Sequence, residues 1–267
     1  MILASASPVS LTMALGAVVA YTVSAASLPL LSAQVARAAL WLAWLVHGAL
    51  LALGLAGEQI YFGFAPALSV TIWLVTLVYA VESYFFPLSQ MRWPLAALGI
   101  GAVALAVLFP GSALHASASA WLPLHWALGI ASYGLFGTAV AHAWYMSRSE
   151  HRIRLGEDSH SGVPLLTLER LTFRFISAGF LLLSATLILG LFFGSELYGA
   201  KAALKWDHKT AFSLLSWLTF ALLLFGRSRF GWRGKRAVRM LYAGSGLLLL
   251  AYAGSRFVME IVLSRSP

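Results

Sequence analysis

Ala120-Trp-Leu-Pro-Leu-His-Trp-Ala-Leu-Gly-Ile-Ala-Ser-Tyr-Gly134 opens an apolar run that continues to Met146. The run is long enough to cross a bilayer as a helix. At its first turn His125 stands between Trp121 and Trp126. An imidazole walled by indoles at a membrane boundary is the most chemically suggestive feature of the chain.

Working outward, composition places that run in a membrane protein. Of the 267 residues 60% are hydrophobic and 10% charged, where a soluble domain carries roughly 25% charged residues. A soluble chain of this size could not hide so much apolar surface. The net charge of +9 does not point to nucleic acid, because arginines gather in cytoplasmic loops of membrane proteins for reasons of insertion. Cysteine is absent, which excludes disulfides, thiolate metal sites and cysteine nucleophiles.

Eight apolar segments have the length of a span: about 9–31, 37–55, 66–86, 93–110, 122–146, 171–194, 209–226 and 238–263. The first lacks the basic start of a signal peptide and reads as a retained helix. The expected architecture is all-α, a polytopic transmembrane bundle of about eight helices in a single domain over residues 1–267. With the N-terminus outside, Arg37, Arg92, Arg148, Arg152, Arg154, Arg170, Arg227, Arg229, Arg233, Lys235, Arg236 and Arg239 fall on the inner side. Lys201, Lys205, Lys209 and Arg265 then fall outside. The positive-inside rule thus favours N-out and C-out, which puts His125 and the Trp206-Asp207-His208 cluster on the outer face. Gly190 and Gly194 have the small-xxx-small spacing that lets two membrane helices approach.

Ionisable groups inside a span are costly, so each needs a reason. His47 sits about 12–15 Å along its helix from Arg37, well within the hydrocarbon. It is either a neutral imidazole hydrogen-bonded to a neighbouring helix or an axial ligand to haem iron. His125 is either an interfacial histidine of an aromatic belt or a haem ligand with Trp121 and Trp126 against the porphyrin. Asp207 can orient an imidazole or cap the seventh helix. Lys201, Lys205 and Lys209 share one helical face and suit propionates, an acidic partner or lipid headgroups. His115, His142, His151 and His160 read as solvated or packing residues. Arg256 and Glu260 read as an internal ion pair.

The motifs, in order, give a family resemblance. Leu45-Val-His-Gly-Ala-Leu-Leu51 and Leu122-Pro-Leu-His-Trp-Ala-Leu-Gly-Ile-Ala-Ser-Tyr133 carry the two membrane histidines. Leu166-Thr-Leu-Glu-Arg170, Trp206-Asp-His-Lys209, Gly231-Trp-Arg-Gly-Lys-Arg236 and Ala251-Tyr-Ala-Gly-Ser-Arg256 follow. With this series the chain resembles the cytochrome c assembly family, in its HemX/YpjD-like inner-membrane branch. The resemblance implies binding or delivery of haem at the outer face of a bacterial inner membrane during cytochrome c biogenesis. It implies His47 and His125 as iron ligands, with His208, Trp121, Trp126, Trp206 and Asp207 around the cofactor. Membrane lipid and an apocytochrome c or other assembly proteins are the implied partners. Gly199-Ala-Lys-Ala-Ala-Leu204 departs from the family's tryptophan-rich WWD segment, which leaves haem-lyase catalysis open.

Two other functions stay open at this point. One is a non-catalytic membrane subunit or regulator of a respiratory or haem-biosynthesis partner. The other is a transporter of a small organic anion, using Arg256 and the lysine stripe.

Overall fold

The computed structural model describes residues 7–26, 32–55, 61–85, 91–113, 121–156, 164–194 and 208–263. Among them are eight helices, in the order and near the positions the apolar segments predict. They are α1 (Pro8–Ala25), α2 (Ala33–Leu55), α3 (Phe64–Phe85), α4 (Arg92–Leu108), α5 (Trp121–Arg154), α6 (Leu165–Phe192), α7 (His208–Phe230) and α8 (Gly234–Val262). Seven are long and apolar enough to cross a membrane, and α4 is slightly shorter. The chain is therefore a polytopic helical membrane protein. Side chains such as Leu181, Ile188 and Leu191, on one face of α6, are 54–71% exposed, as suits a surface bathed in lipid rather than water.

The boundaries differ from the expected ones where the polar signal is gradual. α5 runs on to Arg154, past the end of the expected span at residue 146. Of the two roles left open for His142, solvated or packing, it has the second, buried in α5 against the ring of Phe175.

The helices form two compact units, one built on α1–α4 with the residues from Met259, the other on α5–α8 as far as Val258. Within the first, α1 packs on α2 and α4, and α3 packs on α2 and α4, closing a ring of four. Ser7 caps α1 by accepting from the Ser10 N–H, with Pro8 at the first helical position, where its missing donor costs nothing. Ala14, Ala17, Ala20 and Ser24 make a small-residue seam on α1, with the larger Tyr21 buried among them, and the seam lets its neighbours approach. A two-residue antiparallel pair, β1 (Tyr61–Phe62) with β2 (Ser112–Ala113), joins the ends of α2–α3 and α4–α5.

The second unit closes the same way, α5 on α6 and α8, α7 on α6 and α8. At its centre Phe136 of α5 and Phe220 of α7 stack with ring centroids 3.8 Å apart and planes within 4°. The other two helices seat the pair. A side chain at Gly179 of α6 would meet the Phe136 ring at 3.1 Å, and one at Gly244 of α8 would meet Phe220 at 2.9 Å. Lipid tails are as apolar as these rings, so close packing rather than water expulsion holds the helices.

A valine at Gly244 should therefore push the aromatic pair apart, at a cost of about 1–3 kcal/mol for overpacking. Valine at Gly246, where a side chain meets nothing within 4 Å, should leave stability nearly unchanged. Thermal unfolding in mild detergent compares the two variants, and equal midpoints would contradict the packing account.

Candidate functional site

His47 lies on α2, fully buried in the first unit. Its Nδ1 is hydrogen-bonded to the Tyr21 hydroxyl of α1 at 3.1 Å and its Nε2 to the Ser69 hydroxyl of α3 at 2.8 Å. Tyr21 in turn rests on Gly99 of α4, where a side chain would meet its ring at 2.7 Å. One imidazole thus joins three helices, and through Tyr21 the group reaches the fourth. Both ring nitrogens are engaged, so iron ligation at His47 requires one hydroxyl to leave.

His125 and His208 belong to the second unit. His125, on the first turn of α5, packs against α6. The carbonyl of Thr186 is its backbone hydrogen-bond partner, and a side chain at Gly190 would lie 3.6 Å from the ring. Gly190, picked out by its spacing, is therefore a place where α6 makes room for the imidazole. Beside it Trp121 stacks on Phe193 at 4.5 Å, so one indole face is covered by the protein itself. Trp126, on the same turn, is half-buried.

His208 is the first residue of α7. Its Nε2 is hydrogen-bonded to the Ser255 hydroxyl of α8 at 2.6 Å. Ser255 sits where α8 changes form: residues Leu250–Gly254 and Val258–Val262 are wound as π-helix, with Ser255–Phe257 as an α-helical turn between them. The Tyr133 hydroxyl of α5 donates to the Leu248 carbonyl just before the first wide turn. Wide turns of this kind recur at functional sites.

That bond also fixes the level of the histidines. His125 stands about 12 Å beyond Tyr133 toward the start of α5, and Ser255 about 10 Å beyond Leu248 toward the end of α8. α5 and α8 run in opposite directions in this ring, so the two displacements point the same way. His125, Ser255 and His208 consequently share one end of the second unit. The other end gathers the cations: among the described residues of this unit only Lys209 and Arg256 lie away from it.

Trp206, Asp207, Lys201, Lys205, His115 and His160, considered from sequence, lie outside the described residues. Sequence reading missed Ser255, Ser69 and Tyr21 as histidine partners. Each is a hydroxyl on an apolar helix, which singles out candidates, but their separations of 47, 22 and 26 residues carry no local signal. Among the described residues no group of three His, Cys, Asp or Glu could hold a bare metal ion. His125 and His208 are side chains of the type that would hold haem iron.

The spans define a multi-pass helical membrane protein, with two histidines toward one end of its second unit. The comparisons narrow this further. The family model described as "Cytochrome C assembly protein" matches residues 32–263, and the chain belongs to that family. It is 29% identical over 163 residues to "Inner membrane protein YpjD" of Escherichia coli K12, covering 60% of each chain. It is 28% identical over 205 residues to "Cytochrome c biogenesis protein CcsA" of Prochlorococcus marinus subsp. pastoris, covering 72% of this chain and 62% of that one. It is also 29% identical over 212 residues to an uncharacterised 28.8 kDa protein of Azospirillum brasilense, with 75% of this chain and 76% of the other covered. The chain thus spans about 60% of the length of the YpjD and CcsA proteins it matches. No solved structure matches. Spans and relatives together make it a multi-pass protein of the bacterial inner membrane.

Replacing His47 by alanine leaves the Tyr21 and Ser69 hydroxyls buried without their partner. Stability should fall by about 2 kcal/mol or more, since each unsatisfied group costs about 1–3 kcal/mol. Tyr133→Phe removes one hydrogen bond and should cost less, on the order of 1 kcal/mol. Thermal midpoints in one detergent rank the two; the reverse order would contradict the hub assigned to His47.

Proposed function

We propose that this protein binds haem at the His125–His208 end of its second unit and presents it at the outer face of the inner membrane during cytochrome c assembly. The observation that carries this reading is the common level of the two histidines, set by the Tyr133–Leu248 bond and by Ser255. Membership of the family supports it, as does the gathering of arginines at the opposite end, which by the positive-inside rule faces the cytoplasm.

In this reading His125 and His208 would hold the haem iron, the Thr186 carbonyl and Ser255 hydroxyl would orient their rings, and Trp121 and Trp126 would wall the site. The family resemblance adds Trp206 and Asp207, which precede His208 in the sequence. Haem held there would supply a redox-active group for an apocytochrome c or another assembly protein. His47 is read as the hub of the first unit rather than a ligand, because both of its nitrogens are engaged.

The test is an absorption spectrum, oxidised and reduced, of protein purified in mild detergent with haem supplied. A Soret band is expected, lost in His125→Ala and in His208→Ala and kept in His47→Ala. Iron takes the neutral imidazole, so acid should release the haem. Absence of the band from folded wild-type protein would overturn the reading, as would its survival in both ligand variants. A haem-free membrane subunit organising a respiratory or haem-biosynthesis partner would then be favoured.

A further inference from the structure

The arginine-rich end of the second unit, opposite the histidines, contains a cleft of about 550 Å³ between α5, α6 and α8. This falls in the size range of small-molecule sites. Its floor is apolar: Ala143, Ile176, Ala237 and Leu241 are buried core residues. Leu166 and Tyr242 on its walls are 65% and 40% exposed, on helices that face lipid.

Charge at the mouth is unbalanced. Glu150 and Glu169 line the cleft, but each is neutralised by arginines that do not. Glu150 pairs with Arg154 at 3.3 Å, and Glu169 with Arg227 at 2.5 Å and Arg233 at 3.4 Å. Arg227 also lies 4.4 Å from the centre of the Phe173 ring, and Arg236 is spent 3.7 Å over Trp232. Lys235 and Arg239 remain. Both line the cleft, one turn apart on one face of α8. Neither has an ion pair among the described residues. The first turn of α8 contains no acidic residue, and no side chain caps it, so its backbone N–H groups add to the positive potential.

We propose that this cleft binds an anionic phospholipid of the adjoining leaflet, with the phosphate between Lys235 and Arg239 and an acyl chain along the Ala143–Ile176–Leu241 floor. A free phosphate would use the two cations and leave the apolar floor without purpose. A zwitterionic lipid would bring its own cation to a mouth already positive. Two motifs that the haem reading leaves without a role, Leu166–Arg170 and Gly231–Arg236, meet here through Glu169 and Arg233.

The test uses the full chain in mild detergent, titrated separately with phosphatidylglycerol, phosphatidylcholine and inorganic phosphate, and read by native mass spectrometry and thermal unfolding. Phosphatidylglycerol should bind and raise the midpoint, and the other two should not. An equal response to phosphatidylcholine, or to inorganic phosphate, would overturn the proposal, and this comparison needs no variant. The double variant Lys235→Gln/Arg239→Gln should bind phosphatidylglycerol roughly 25-fold more weakly, about fivefold for each interfacial cation. Arg229→Gln, at the same end but off the cleft, should bind as the wild type does. Unchanged binding in the folded double variant would also overturn the proposal.

Discussion

Helices surrounded by hydrocarbon have no water to expel from between them, so association rests on close contact and on pairing every polar group that the lipid cannot solvate. The Phe136–Phe220 stack is the clearest expression of the first requirement. Two rings from helices on opposite sides of the ring meet face to face because Gly179 and Gly244 withdraw on either side. Each of the four helices of that unit contributes one residue to this contact, and its register sets where the helix ends fall.

The second requirement explains the polar residues buried in apolar helices. His47 is tied to Tyr21 and Ser69, Trp217 to Ser184, Ser216 to the Gly244 carbonyl, and Tyr133 to the Leu248 carbonyl. Each bond joins two different helices. Such bonds are modest individually, about 0.6 kcal/mol on average in a membrane protein, but each is possible at only one register. They specify the arrangement as much as they stabilise it. The widening of α8 beyond Leu248 belongs to this pattern, since it brings Ser255 to His208.

The second unit is consequently polarised. One end holds two imidazoles and an aromatic wall, the other the cations and a cleft with an apolar floor. An axis of this kind gives a membrane protein distinct chemistry at its two faces without a separate domain for either. The first unit has no such division; its central histidine is consumed by its own packing.

The sequence alone determined the number and order of the spans and the bias of basic residues to one side. These follow from the transfer free energy of about 20 residues at a time, a quantity local to each segment. It also singled out His47, His125 and His208, because an ionisable residue in or beside a span stands out in composition, and the glycine spacing at Gly190. Where helices end was less legible: α5 outruns its apolar stretch, since amphipathic turns continue a helix into the interface at little cost. Only the tertiary structure decided that His47 has both nitrogens engaged while His208 is held by one, and that His125 and His208 share a unit. Those facts depend on contacts between residues 22 to 47 or more positions apart, fixed by the packing of whole helices and by no neighbour along the chain.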